Sequence, residues 1–160
     1  MLKKSNDLLP EIPEIVRKRN WKKSLDNFVE ENKTTHFKVG STDCALFARD
    51  CIGVMTGVYL LNELTDKYSN SFGTQRQLIK WGFQSVEDGF SHYFDKISMS
   101  EARDGDLVIQ QMPPLDLVGI VYKGKVLFKT RMPPTEVLKK LDNIYVEHPL
   151  TEEFVYYKVG

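Results

Sequence analysis

Gly40-Ser41-Thr42-Asp43-Cys44-Ala45-Leu46-Phe47-Ala48 sets a cysteine directly after an acidic residue and at the head of an apolar run with helical spacing. Ser41 or Thr42 can cap it, and Cys44, Phe47, Ala48, Cys51, Ile52 and Met55 fall on one stripe that ends before Gly57. A thiol at such a helix start feels unsatisfied backbone N–H groups and the positive end of the macrodipole. Both favour the thiolate. Cys44 is therefore the candidate nucleophile, at the buried edge of the stripe, and its plainer reading is a small buried hydrophobe. Asp43 caps or salt-bridges locally, with a charge that opposes a thiolate. Cys51 lies two turns on, roughly 10 Å along the same face, and reads as core. Two cysteines at that separation cannot bridge.

Outward from this helix, Trp21, Leu25, Phe28 and Val29 have helical spacing, with Asn20 as N-cap and the polar run 30–35 as the stop. Residues 1–20 carry Pro10 and Pro13 among alternating charges and leucines, so they read as an arm that orders against a partner. In the other direction a looser stretch, 59–73, precedes a short helix from Thr74, its cap, to Trp81, with Gly82 as the stop. After about residue 100 come β-rich runs at 106–110, 117–122 and 125–130, the last two joined tightly through Lys123-Gly124. Pro133, Pro134 and Thr135 open a short helix through Leu141, and 143–146 and 154–159 close the chain as strands. Helices first and a meander afterwards predict α+β, with the Cys44 helix packed on a small antiparallel sheet. The expected organisation is an arm over 1–20 and a single domain over 21–160.

Composition narrows the function classes. The chain has 160 residues, 41% hydrophobic and 28% charged, enough for one core without disulfide or metal staples. Its 22 basic and 22 acidic side chains cancel, which gives no nucleic-acid footprint. No apolar run approaches the roughly 18 to 20 residues of a membrane helix, and the N-terminus lacks the apolar core of a signal peptide. Without a Cys-x-x-Cys pair, and with three scattered histidines, no metal or other cofactor is expected.

Asp43-Cys44 at a helix start, Gly105-Asp106-Leu107-Val108 opening a strand and Leu117-Val118-Gly119-Ile120-Val121 in the next resemble, in that order, the NlpC-type papain-like peptidases. The Trp21 helix, the approach Phe37-x-x-Gly40-x-x-Asp43-Cys44 and the punctuation Tyr68, Gly73, Leu78, Gly82 are similar to an offshoot found in phage and prophage tail gene clusters. The likeness runs from about residue 20 to 147. It implies a papain-like fold and, for active members, hydrolysis of peptidoglycan peptides or amides by a cysteine nucleophile, a histidine base on the second strand and a polar orienting group on the third.

The same alignment puts the base position on Leu117, which cannot accept a proton, and the orienting position near Lys129 or Thr130, where a cation disfavours an imidazolium. Two of three catalytic roles are unfilled, so a degenerate site is the simpler reading. His36, eight residues before Cys44, reads as an exposed loop histidine, His92 as a partly buried structural one and His148, before Pro149, as a surface turn. Phe154, Tyr156 and Tyr157 read as interface anchors or an ordinary edge strand. Met112-Pro113-Pro114 and Met132-Pro133-Pro134 read as stiff connectors or rigid binding loops around the hairpin. The resemblance implies a non-catalytic component of a phage tail, at the tip or in tail assembly, made in the bacterial cytoplasm and carried in the virion. Its partners are then other tail proteins of the hub or tip, with peptidoglycan as a further ligand. The rival expectation is an active cell-wall amidase or peptidase in which His36 or another group replaces the base, and a third is a groove that binds cell-wall peptide without cutting it.

Overall fold

Leu117–Tyr122 forms a strand whose interior positions are all buried, the mark of a strand covered on both faces. Val118 and Ile120 join a core cluster with the helices, whereas Val121 belongs to a second cluster on the opposite face of the sheet. The computed structural model describes residues 9–32, 44–60, 71–111, 116–129 and 145–160, with backbone alone for 71–75. Within them lie helices α1 (Trp21–Glu31), α2 (Cys44–Thr56), α3 (Ser71–Lys80) and α4 (Val86–Ser91) and strands β1 (Lys96–Ile97), β2 (Leu107–Gln110), β3 (Leu117–Tyr122), β4 (Lys125–Lys129), β5 (Tyr145–Pro149) and β6 (Val155–Tyr157). The strands make one antiparallel sheet in the order β1-β6-β2-β3-β4-β5. The molecule is α+β, with α2 held between α1 and the β3–β4 pair.

The sequence patterns account for most of these elements. In α2 the stripe Phe47, Ala48, Cys51, Ile52 and Met55 is buried, and so are Leu46 and Arg49, because a helix between another helix and a sheet has little free surface. Asn20 stands at the N-cap of α1 through its backbone, accepting from Ser24 N at 3.1 Å, but its side chain makes no capping bond. The other end of α1 is closed by the sheet: Tyr145 Oη donates to Val29 O (2.7 Å) and Lys129 Nζ to Asn32 O (2.8 Å), while Asn32 Nδ2 donates to Phe28 O (2.9 Å). The last carbonyls of a helix lack an i+4 N–H, and these side chains serve them; Phe28 O also accepts from Asn32 N at 3.0 Å. The β3–β4 hairpin turns through Lys123 (φ 50°) and Gly124 (φ 76°), and both of their N–H groups donate to the Asp104 carboxylate at 3.1 and 3.0 Å.

Several expectations need correction. Helix α3 begins at Ser71, so Thr74 lies inside it and is not its cap. Its end follows the glycine signal: Gly82 N bonds to Ile79 O and Phe83 N to Leu78 O, the paired bonds of a Schellman turn. Helix α4 and strand β1 had no prediction, being only six and two residues long. The sequence did hold a signal for α4 in Ser85-x-x-Asp88: Ser85 Oγ accepts from Asp88 N (3.0 Å) and Asp88 Oδ2 from Gln84 N (2.8 Å). Phe154, Tyr156 and Tyr157 are buried, and β6 is interior, between β1 and β2, so neither an edge strand nor an exposed interface describes them. His148 sits within edge strand β5, paired with Val126, and not at a turn. The expected helix over 135–141 and the two Met-Pro-Pro loops lie outside the described residues.

Residues 9–20 run along the domain. Lys18 N donates to Met55 O at the end of α2 (2.8 Å), and Arg17 makes a nearly buried ion pair with Asp106 (2.8 Å). Arg17 Nε also donates to Val159 O (2.6 Å) and its Nη1 to Asp104 O (2.7 Å), with the guanidinium 4.3 Å above the Trp21 ring. These bonds hold the described part of the arm to the domain itself.

Candidate functional site

Two contacts fix the direction of α2 over the sheet. Near its start, Phe47 packs on Tyr145 at 5.1 Å and lies under Lys129 Nζ at 5.9 Å, at the end of β4 that pairs with the beginning of β3. Near its finish, Met55 Sδ meets Gly105, whose N–H donates to Val121 O (2.7 Å) toward the end of β3. The helix therefore runs along β3, with Cys44 in its first turn above the beginning of that strand. Cys44 is half-buried, packed against the helix-side core, and Cys51 is fully buried. Burial pushes the Cys51 thiol well above its ordinary value, so it is no nucleophile. A helix start and partial exposure are two features that reactive cysteines share, and Cys44 has both; a base within reach is a further requirement.

The base position does not face it. Alternation along β3 turns Leu117 to the far side of the sheet, where it packs against the cluster of Val108, Val121 and Phe128. The α2 side receives Val118 and Ile120, neither able to take a proton. One residue before the strand, Asp116 Oδ2 accepts from Glu87 N in α4 (3.1 Å). Glu87 in turn accepts from Tyr157 Oη and Gln111 Nε2, both at 2.6 Å, so these carboxylates tie α4 to the sheet. The sequence reading passed over Asp116, Glu87 and Gln111 and took Tyr157 for an interface anchor or an edge-strand residue; the four lie far apart in the chain.

At the orienting position Lys129 is 2% exposed, its ammonium held by Asn32 O and the ring faces of Phe47 and Tyr145. Burial lowers its pKa from the ordinary lysine value, and it has no lone pair to offer an imidazolium while protonated. Thr130 lies outside the described residues, as do His36 and Asp43. The other two histidines are engaged elsewhere. His92 Nε2 donates to Pro10 O (2.7 Å), with its ring between Phe83 and Tyr93 at 5.5 and 4.9 Å. His148 is exposed and stacks edge-on against Phe154 (5.1 Å), which belongs to the far-side cluster.

The two glycine motifs have structural work. A Cβ on Gly119 would stand 2.7 Å from Leu127 O and 2.8 Å from the Phe128 ring, so only glycine lets β4 lie this close. At Gly105 (φ 90°) a Cβ would meet Arg17 Nη1 at 2.8 Å and Met55 Sδ at 2.9 Å. Asp106 then accepts from Arg17 and from Val159 N (3.0 Å) through Oδ1, and from Arg103 N (3.0 Å) through Oδ2. Gly105-Asp106 is the clasp that joins both ends of the domain, and Arg17, in a segment with no helical or strand pattern, gave no sign of it.

Among the described residues no group of three His, Cys, Asp or Glu side chains is placed to hold a metal ion, and no helix is long and apolar enough to cross a membrane. Residues 16–141 fit the family model described as Domain of unknown function (DUF6950). No curated protein matches the chain.

Proposed function

We propose that this chain, which belongs to the DUF6950 family, is a non-catalytic structural component of a phage tail, at the tip or in tail assembly. In this reading it is a degenerate NlpC-type papain-like domain kept for its surfaces. The observation that carries it is the α2 side of β3: below a cysteine at a helix start, the strand offers Val118 and Ile120 where a working hydrolase needs an imidazole. The buried Lys129 at the next strand adds to this, since its ammonium is spent on α1. The tail itself, its hub or tip proteins as partners and the virion as location rest on the resemblance of the Asp43-Cys44, Gly105-Asp106 and Val118-Gly119-Ile120 motifs and their spacing.

Half-buried Cys44 at the head of α2 favours one rival, an active cell-wall amidase or peptidase. Two measurements separate them. Iodoacetamide labelling of the native protein at neutral pH should be no faster at Cys44 than at a free model thiol, and purified muropeptides should stay uncut. Rapid, selective alkylation of Cys44 together with muropeptide cleavage that Cys44→Ala abolishes would establish the hydrolase. Mass spectrometry of purified phage particles tests the location, and absence of the chain from particles and from tail-assembly intermediates would remove the tail assignment.

A further inference from the structure

Helix α4 presents a second polar site, away from Cys44. Leu9, Gly82, Phe83, Gln84, Asp88 and His92 line a cleft of about 320 Å³, at the small end of ligand-sized cavities. Asp88 and His92 are four residues apart and so share a helix face. Each has hydrogen-bonding capacity left over. Asp88 Oδ2 accepts from Gln84 N, and no hydrogen bond to Oδ1 forms among the described residues. His92 Nε2 lies 2.7 Å from the Pro10 carbonyl, which can only accept, so that nitrogen carries the hydrogen and Nδ1 of the neutral ring is left as an acceptor.

The cleft thus combines acceptors, one of them a carboxylate, with the apolar surfaces of Phe83 and Leu9, and among the described residues neither lysine nor arginine lines it. An anion meets the Asp88 charge with no lysine or arginine among the described lining residues to offset it, and a neutral apolar molecule leaves the carboxylate oxygen to lose water without recompense. We propose that this cleft binds a small organic monocation, a primary ammonium on a compact aliphatic or aromatic body, with the ammonium on Asp88 and the body between Phe83 and Leu9. The site is independent of the function proposed above.

Benzylammonium is a suitable probe, with benzyl alcohol and benzoate as the neutral and anionic counterparts. In amide-resolved NMR of the full chain, benzylammonium should produce saturable shifts confined to Gly82, Phe83, Gln84, Asp88 and His92, and the two counterparts should not. Asp88→Asn keeps an oxygen for Gln84 N and should leave the thermal midpoint in place while weakening binding by roughly tenfold, the scale of a charge-assisted hydrogen bond. Leu9→Ala, at the rim of the arm, serves as an independent variant and should weaken binding at least about threefold through lost apolar contact. The proposal is overturned by no saturable shift up to about 10 mM probe, an affinity weaker than such contacts provide. Equal binding of benzyl alcohol, or undiminished binding by folded Asp88→Asn, overturns it as well.

Discussion

Asp106 accepts from Arg17, Arg103 and Val159, three points that span the chain from its arm to the residues after its last strand. The pair it makes with Arg17 is almost closed to water, the two side chains being 6% and 1% exposed. Such a pair adds little over a well-packed apolar pair, but removing one partner strands the other charge in a dry site. Asp106→Ala should therefore cost about 3–5 kcal/mol, read as a fall in the urea midpoint at unchanged slope. Arg17→Ala should cost a similar amount, and the double variant clearly less than the sum, since the second change removes an already unpaired charge. Additive costs would mean that the two side chains do not act as a pair. The same residue scale bears on Cys44: a thiol at a helix start is made reactive or inert by what surrounds it, and the α2 side of β3 carries Val118 and Ile120, which can take no proton.

The last turn of α1 depends on two strands for its closure. Lys129 from β4 and Tyr145 from β5 donate to its carbonyls, which also places a cation at the negative end of the helix dipole. This arrangement has a pH signature. Burial lowers the folded-state pKa of Lys129 below its ordinary 10.5, so between the two values the unfolded chain binds more protons and folding stability rises with pH. Tyr145 works in the opposite sense and in a different window. Burial raises its folded-state pKa above the ordinary 10.0, so the neutral phenol contributes stability that is intact below that value and lost as pH climbs through the raised one. The stability difference between the native chain and Lys129→Met should accordingly shift in favour of the native chain as pH is raised from 7 toward 10, measured by urea unfolding at each pH. A difference that stays flat with pH would show that Lys129 titrates as it does in the unfolded chain. Element α4 makes a related point about size: six residues give too little periodicity to read, yet Glu87 within it receives Tyr157 and Gln111 from the sheet.

The arm and the last residues of the chain meet at Gly105-Asp106, so the molecule is closed by contacts between segments far apart in sequence. Removing residues 1–17 should lower the thermal midpoint by at least as much as Arg17→Ala and leave a single cooperative transition; a midpoint equal to the full chain would mean the arm is not part of the folding unit. The sequence by itself determined much of this architecture. Helical spacing at Trp21–Val29 and Cys44–Met55, the glycine after α3, the apolar runs of β2, β3 and β4 and the Lys123-Gly124 turn are local patterns, and local patterns follow from backbone geometry and burial of one face. It also placed Cys44 at a helix start, which a short window of residues is enough to show. Only the tertiary structure decided which face of β3 meets that helix, and so that Leu117 looks away while Val118 looks in. Only it could bury Lys129 against α1, bring Arg17 to Asp106 and set Asp88 and His92 beside Leu9 and Phe83. Each of these depends on through-space proximity between residues tens of positions apart, and periodicity within one element carries no information about which other element will lie against it.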